Sequence, residues 1–516
     1  MKSPRLPLAA LATPLLAALA AAQQDILISP PLARIDSFKG LPDGSGAVYR
    51  VIGWGALTSD LFGSRYGIPS LPHDLEDASS NFVPGPYAVS SDSSRLVYLT
   101  SSAIDYLVCE LYSQPLDGSA PPVKLNGPLT TEEDVYSFQV SPDSQRVLFV
   151  TTSTLSLDPR LFSVPIDGSA APVEIDGPAP YDNSSPRISP DGRYVFYETV
   201  NGYFELWRAP MDASAPAQVL PGRGQYSSEF RFTSDSARVL YCLSLEANPA
   251  LLVQLLSAPV DGSSPAVVVH PPLVTGGKVE REFALTPDGS SVVYAAEQEV
   301  DNRYELYVAP ADASAPPVKL NGPSGADLPR LDRNNWWLEI SGSRAFYPAF
   351  RQSQGAIGLL MSVPVDGSSP PLELLSFLRT EPPLTAIGRT HLAYLDRTDG
   401  PAFYSLPVDG SAPPVRLTPP FVAGGDVSGF RVDPTGQRLL YLADQELDGR
   451  RELYWMPLDG SRPVRKVNPP LAPGGQVGYA YGFTPEGNRV TYLAEVHQAT
   501  VPELFLDYLT PMVRAR

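Results

Sequence analysis

Two near-copies of a carboxylate-rich segment, Glu297-Gln298-Glu299-Val300-Asp301-Asn302 and Asp444-Gln445-Glu446-Leu447-Asp448-Gly449, hold the residues best suited to chemistry. Alternating carboxylates offer clustered oxygen donors, the ligand set of a hard cation. Glu297, Glu299 and Asp301, with Asp444, Glu446 and Asp448, are therefore the candidate metal ligands, and calcium is the ion they suit. Their spacing matches no EF-hand loop. The same residues also suit solvated loops that keep an acidic protein soluble.

A second candidate is aromatic. Asn334-Asn335-Trp336-Trp337 interrupts a degenerate stretch of sequence, so Trp336 and Trp337 could anchor a partner or a carbohydrate, or could simply fill a core. The four histidines, His73, His270, His391 and His497, have no second histidine or cysteine at zinc-ligand spacing. A nucleophile elbow needs Gly-x-Ser-x-Gly on a strand-to-helix turn; Gly44-Ser45-Gly46 sits in a hairpin turn instead. Cys109 and Cys242 are the only cysteines, too few for a disulfide framework, and both read as small buried side chains.

Acidic residues outnumber basic ones by 56 to 38, giving a net charge of −18. Such a field repels nucleic acid and anionic membrane. Lys2 and Arg5, an apolar stretch from Leu6 to Leu19 and Ala20-Ala21-Ala22 read as a signal peptide over residues 1–22, leaving residues 23–516 as a secreted or periplasmic product. No later apolar run is long enough for a membrane helix. No cysteine near the cleavage point offers a lipid anchor.

What positions these residues is a repeat. The phrase Glu-Leu-Tyr-x-x-Pro-Leu-Asp-Gly-Ser, clear at Glu110–Ser119 and Glu452–Ser461, returns about every fifty residues, each time after a phrase of the type Phe-x-x-Ser-Pro-Asp-Gly/Ser-x-x-Arg-Val-Leu-Tyr. The unit from Tyr136 is a strand to Ser141, a turn at Pro142-Asp143-Ser144, a strand Arg146 to Val150, a strand Leu161 to Ile166, a turn at Asp167-Gly168-Ser169 and a strand Pro172 to Ile175. Four short antiparallel strands have two apolar faces, buried by stacking successive sheets. The expected fold is all-β, a β-propeller of four-stranded antiparallel blades with about ten repeat units.

The first and last units complete one another. After Glu503-Leu504-Phe505 the chain is too short for a fourth strand, while Ile28-Ser29-Pro30-Pro31-Leu32-Ala33 resembles Val467-Asn468-Pro469-Pro470-Leu471-Ala472. The N-terminal segment is expected to supply the missing strand, closing the propeller through its last blade. One ring of ten blades is favoured; two smaller rings fit the same repeat.

With Ser189-Pro190-Asp191-Gly192, Val195-Phe196-Tyr197 and Glu205-Leu206-Trp207, the unit resembles the WD40-like repeat of TolB-type (PD40) propellers over residues 34–510. The resemblance implies a propeller and protein binding. It does not extend to the α/β domain of TolB or to the hydrolase domain of oligopeptidase relatives. The leading expectation is an exported, noncatalytic protein-interaction or ligand-binding scaffold with a protein partner and no required cofactor. The alternative is an extracellular hydrolase or lyase using carboxylates near the channel. Either function is expected where the repeat decays, between Asp312 and Asp409, with Arg330, Asp332, Arg333, Glu339 and Arg351, or in the acidic loops. The sequence sets no oligomeric state.

Overall fold

The computed structural model describes residues 26–27, 35–52, 59–65, 73–74, 86–101, 108–129, 133–153, 159–175, 177–178, 180, 186–224, 229–244, 253–322, 330–332, 336–354, 356–378 and 384–509. The signal-peptide reading, Arg333 and Asn334-Asn335 lie outside them. The described strands form ten antiparallel sheets, nine of four strands and one of five, in the blade architecture expected of a β-propeller.

The chain divides into two compact units. One comprises residues 1–76, 396–404 and 416–516, the other 77–395 and 405–415, so the boundary falls within the eighth sheet in chain order. In the second unit each strand alternates its side chains between two neighbours, as strand geometry requires. Val239 and Tyr241 pack with Phe196 and Leu206 of the fourth sheet. The intervening Leu240 and Cys242 pack with Val292 and Tyr294 of the sixth. Both faces are thereby buried, which explains why Arg238–Leu243 is a nearly continuous apolar run.

In the first unit the same rule stacks the ninth sheet on the tenth and the tenth on the first. Leu442 and Leu453 meet Val477 and Tyr492. Ile35, Ala47 and Tyr49 meet Leu493, Leu504 and Leu506. The tenth sheet takes its fourth strand from Ile26–Leu27, whose Leu27 pairs with Phe505. That is the register of Lys466 with Tyr454 in the ninth sheet; Ile28 to Ala33 lie outside the described residues.

The repeated turns are local devices. Asp143 Oδ1 accepts from the Ser141 hydroxyl at 2.6 Å and the Gln145 amide at 3.0 Å. Ser90-Asp92, Ser189-Asp191, Thr233-Asp235 and Thr286-Asp288 repeat the hydroxyl contact. The Asp-Gly-Ser turns hold the Asp167 carboxylate on the Ser169 amide at 3.0 Å. Gly168 is favoured there for two reasons: its φ is +69°, and a Cβ would overlap the Val123 side chain of the preceding sheet; the fourth and sixth sheets hold the same turn with Ala213 and Ala313 at φ of +54° and +57°. Gly168→Ala is expected to cost about 1–2 kcal/mol, measured by denaturant unfolding. Adding Val123→Ala should recover the steric part and leave the backbone part.

The arginine of the first phrase does not pair with the turn Asp. Arg95, Arg146, Arg238 and Arg344 instead donate through Nε to Ser113, Ser163, Ser257 and Ser362 on the third strand, at 2.6 to 2.9 Å. Two of those hydroxyls pass the link onward, Ser257 to Ala311 O and Ser362 to Val408 O, each in the next sheet. The ninth sheet shows why the link exists. Trp455 takes the serine position, and Arg438 turns to the buried Asp433 at 3.3 Å and to Gly487 O at 2.6 Å.

Candidate functional site

The two acidic loops lie against the connection that enters their own sheet. Glu297 is buried; its Oε2 accepts from the Lys278 amide at 3.0 Å, and its own amide donates to Lys278 O. Asp444 accepts from the amides of Asp426 and Gly449 at 2.5 and 2.9 Å. Glu299 and Glu446 reach across to the fourth-strand lysines, Lys319 at 2.9 Å and Lys466 at 2.7 Å. Asp301 and Asp448 are exposed, and Asp301 accepts from Asn302 at 2.9 Å. The six candidate ligands are thus dispersed over separate contacts. Among the described residues no group of three or more His, Cys, Asp or Glu side chains is placed to hold a metal ion.

Beneath each loop sits a polar cluster that sequence reasoning did not single out. Glu305, 1% exposed, accepts from the Tyr307 hydroxyl at 3.0 Å and pairs with Lys319 at 2.7 Å. Glu452 does the same with Tyr454 at 3.1 Å and Lys466 at 2.8 Å. Glu110, Tyr112 and Lys124 form a third, more exposed copy. Burial, reinforced by the carboxylate beside each, pushes the Tyr307 and Tyr454 phenols up. Burial pulls the Lys466 ammonium down, but Glu446 and Glu452 outweigh it and leave it raised.

The third sheet keeps the register and exchanges the charges. Arg160 stands where the glutamate should be and Glu174 where the lysine should be, 2.6 Å apart. In the tenth sheet the fourth strand brings Leu27 to the lysine position, and His497 Nδ1 takes over, 2.8 Å from the buried Glu503. The signal for this cluster was legible: Glu and Tyr two apart in Glu-Leu-Tyr lie on one face of a strand.

Trp336 and Trp337 are half-buried and point to opposite faces of the seventh sheet. Trp336 packs with the cluster of Leu306, Tyr347 and Leu359, and its Nε1 is buried without a hydrogen-bond partner among the described residues. Trp337 packs with Phe346, Leu360 and Leu392. Among the residues named where the repeat decays, Arg330 opens a short extra strand, Asp332 is buried, and Arg351 pairs with Glu373 at 2.8 Å. Cys109 is half-buried rather than buried; burial and the neighbouring Asp134 carboxylate raise its thiol to about 11. Cys242 is a buried free thiol.

Three cavities and one further carboxylate group stand beside these clusters. A groove of about 890 Å³ is lined by Asp191, Arg193, Asp235, Arg238, Asp261 and Asp312, and a smaller one of about 240 Å³ repeats it at Asp143, Arg146, Arg193 and Asp212. Repetition one sheet away marks them as products of the turns. A cavity of about 510 Å³ lies between Arg416, Thr418, Gln445, Glu446, Tyr454 and Lys466, beside the second acidic loop. On the first strand of the sixth sheet, burial holds the Glu282 carboxyl above the ordinary carboxylate range, with Arg231 opposing the shift and Glu229 and Glu280 adding to it.

No protein-family model and no curated protein matches the chain. Among solved structures, dipeptidyl peptidase 4 of Porphyromonas gingivalis is similar at 14% identity with a TM-score of 0.39, over 90% of this chain and 56% of that one. A prolyl endopeptidase is similar at 13% identity and a TM-score of 0.34, over 70% of this chain and 54% of that one. TolB of Acinetobacter baumannii is similar at 16% identity and a TM-score of 0.26, over 62% of this chain and 77% of that one. The chain spans little more than half the length of the two peptidases.

Proposed function

We propose that the chain is an exported, noncatalytic propeller that serves as a scaffold for another protein. The observation that carries this reading is the repetition of the Glu-Tyr-Lys cluster at one register, including its charge-exchanged copy. A catalytic group is needed once, in one protonation state and one place. A pair that recurs, and works with its charges reversed, supports a role in holding the third and fourth strands of each sheet together. The acidic loops above the clusters then serve solubility and attract cationic partners.

The test is a pull-down from the native exported fraction with residues 23–516 as bait, in calcium and in chelator. The expected result is a partner retained intact in both arms, with saturable binding once purified. Recovery of no partner would contradict the scaffold. A retained polymer or protein that the parent chain degrades and Glu282→Gln does not would replace it with the hydrolase reading, which draws on the raised Glu282 carboxyl.

A further inference from the structure

The fourth strands of the sheets are short. Val123–Lys124, Val173–Glu174, Gln218–Val219, Val267–Val268, Val318–Lys319, Val415–Arg416 and Arg465–Lys466 have two residues each. A two-residue edge offers almost nothing to pair with, which is one way sheet proteins avoid association. The seventh sheet departs from this. Its edge strand, Leu372–Leu378, has seven residues and reads Leu-Glu-Leu-Leu-Ser-Phe-Leu.

Among the described residues this strand pairs with one neighbour only, Ile357–Pro364. Its other edge spans about 23 Å at ~3.3 Å per residue. It has no proline and no lysine, its one charge, Glu373, is paired with Arg351, and its one guard is a β-bulge at Leu374, between the pairs Leu375–Leu360 and Glu373–Met361. The strand is firmly seated, because Leu374, Leu375 and Phe377 pack against the core around Phe346 and Leu392. Ser376 and Leu378 face solvent, and Leu378 is 53% exposed. Past the bulge, Leu375–Leu378 is a regular, apolar edge seated on the core, and such an edge is a template for strand addition.

We propose that the Leu372–Leu378 edge binds an extended polypeptide segment of another protein by adding it as a strand, the segment carrying alternating apolar side chains and basic flanks. This rests on the scaffold reading and names its surface. A second copy of the chain is the poorer occupant. Two bodies each carrying −18 repel, whereas the same charge attracts a basic segment.

The experiment uses the full chain and a labelled peptide of about nine residues, Lys-Thr-Val-Thr-Val-Thr-Val-Thr-Lys. Anisotropy should report saturable binding, lost when alternate peptide amides are methylated. Hydrogen exchange should slow on binding at the amides of Leu372–Leu378. The double variant Ser376→Lys, Leu378→Lys changes two exposed side chains, so it should keep the parent melting temperature and bind at least about tenfold more weakly. Absent binding, undiminished binding by that variant, protection confined to other strands, or a dimer of the parent chain that the variant abolishes would each overturn the assignment. A natural partner captured equally by parent and variant would also overturn it, and would leave the scaffold reading standing.

Discussion

Glu305→Ala is expected to destabilise the protein by about 3 kcal/mol, the cost of removing one member of a buried ion pair. The carboxylate is 1% exposed and accepts from Tyr307 while holding Lys319. Without it, a buried phenol loses its acceptor and Lys319 loses its buried partner, while its pair with Glu299 is half in solvent. The same substitution in the second sheet should cost under about 1 kcal/mol, because Glu110 and Lys124 are each about one-third exposed and water screens the pair. Denaturant unfolding of Glu305→Ala and Glu110→Ala side by side checks both the size and the ordering.

Phe346→Ala should cost about 3–5 kcal/mol, the range for truncating a large aromatic in a closed core. Phe346 is fully buried among Leu360, Ile387, Leu392 and Leu406, between the seventh and eighth sheets. That cluster also seats Leu374, Leu375 and Phe377, so the cavity opens directly behind the long edge strand. Beyond the loss in unfolding free energy, hydrogen exchange at Leu372–Leu378 should accelerate more than at the distant Gln254–Pro259 strand. Equal acceleration at both would mean that the edge strand is held by something other than this core.

The blades were legible because their signals are local. Asp143, Gly168 and Asp191 fix turns through their own backbone geometry, and the apolar runs between turns allow little but strands. The N-terminal strand was legible for a different reason: Ile28 to Ala33 repeats Val467 to Ala472, and an incomplete last unit left a place for it. The strand itself lies two residues earlier, at Ile26–Leu27, because the aligned Val467 follows its own strand Arg465–Lys466.

What escaped the sequence reading depends on partners distant along the chain. The arginine three residues after Asp92, Asp143 and Asp235 reaches a serine eighteen or so residues on, at a position set by strand register. The acidic loops read either as calcium ligands or as solvated carboxylates, and the sequence does not say which way each side chain turns. In the folded chain Glu297 turns inward to a backbone amide, while Glu299 turns to a lysine twenty residues away. The tryptophans read as an anchor or as core, and each packs against a different core because neighbours on an extended chain face opposite ways. The long edge strand had a visible signal, Leu-Glu-Leu-Leu-Ser-Phe-Leu following Asp366-Gly367-Ser368, where other units turn after two residues.

The direct test of a structural role for the recurring phrase is to measure unfolding free energy and partner capture together for Glu305→Ala, Lys319→Glu and the double exchange Glu305→Lys, Lys319→Glu. Both single changes should lower stability, the exchange should recover most of the loss as the Arg160–Glu174 pair does naturally, and capture per folded molecule should stay constant throughout. Unchanged stability with capture lost in the single variants would contradict that role and return the phrase to the binding surface.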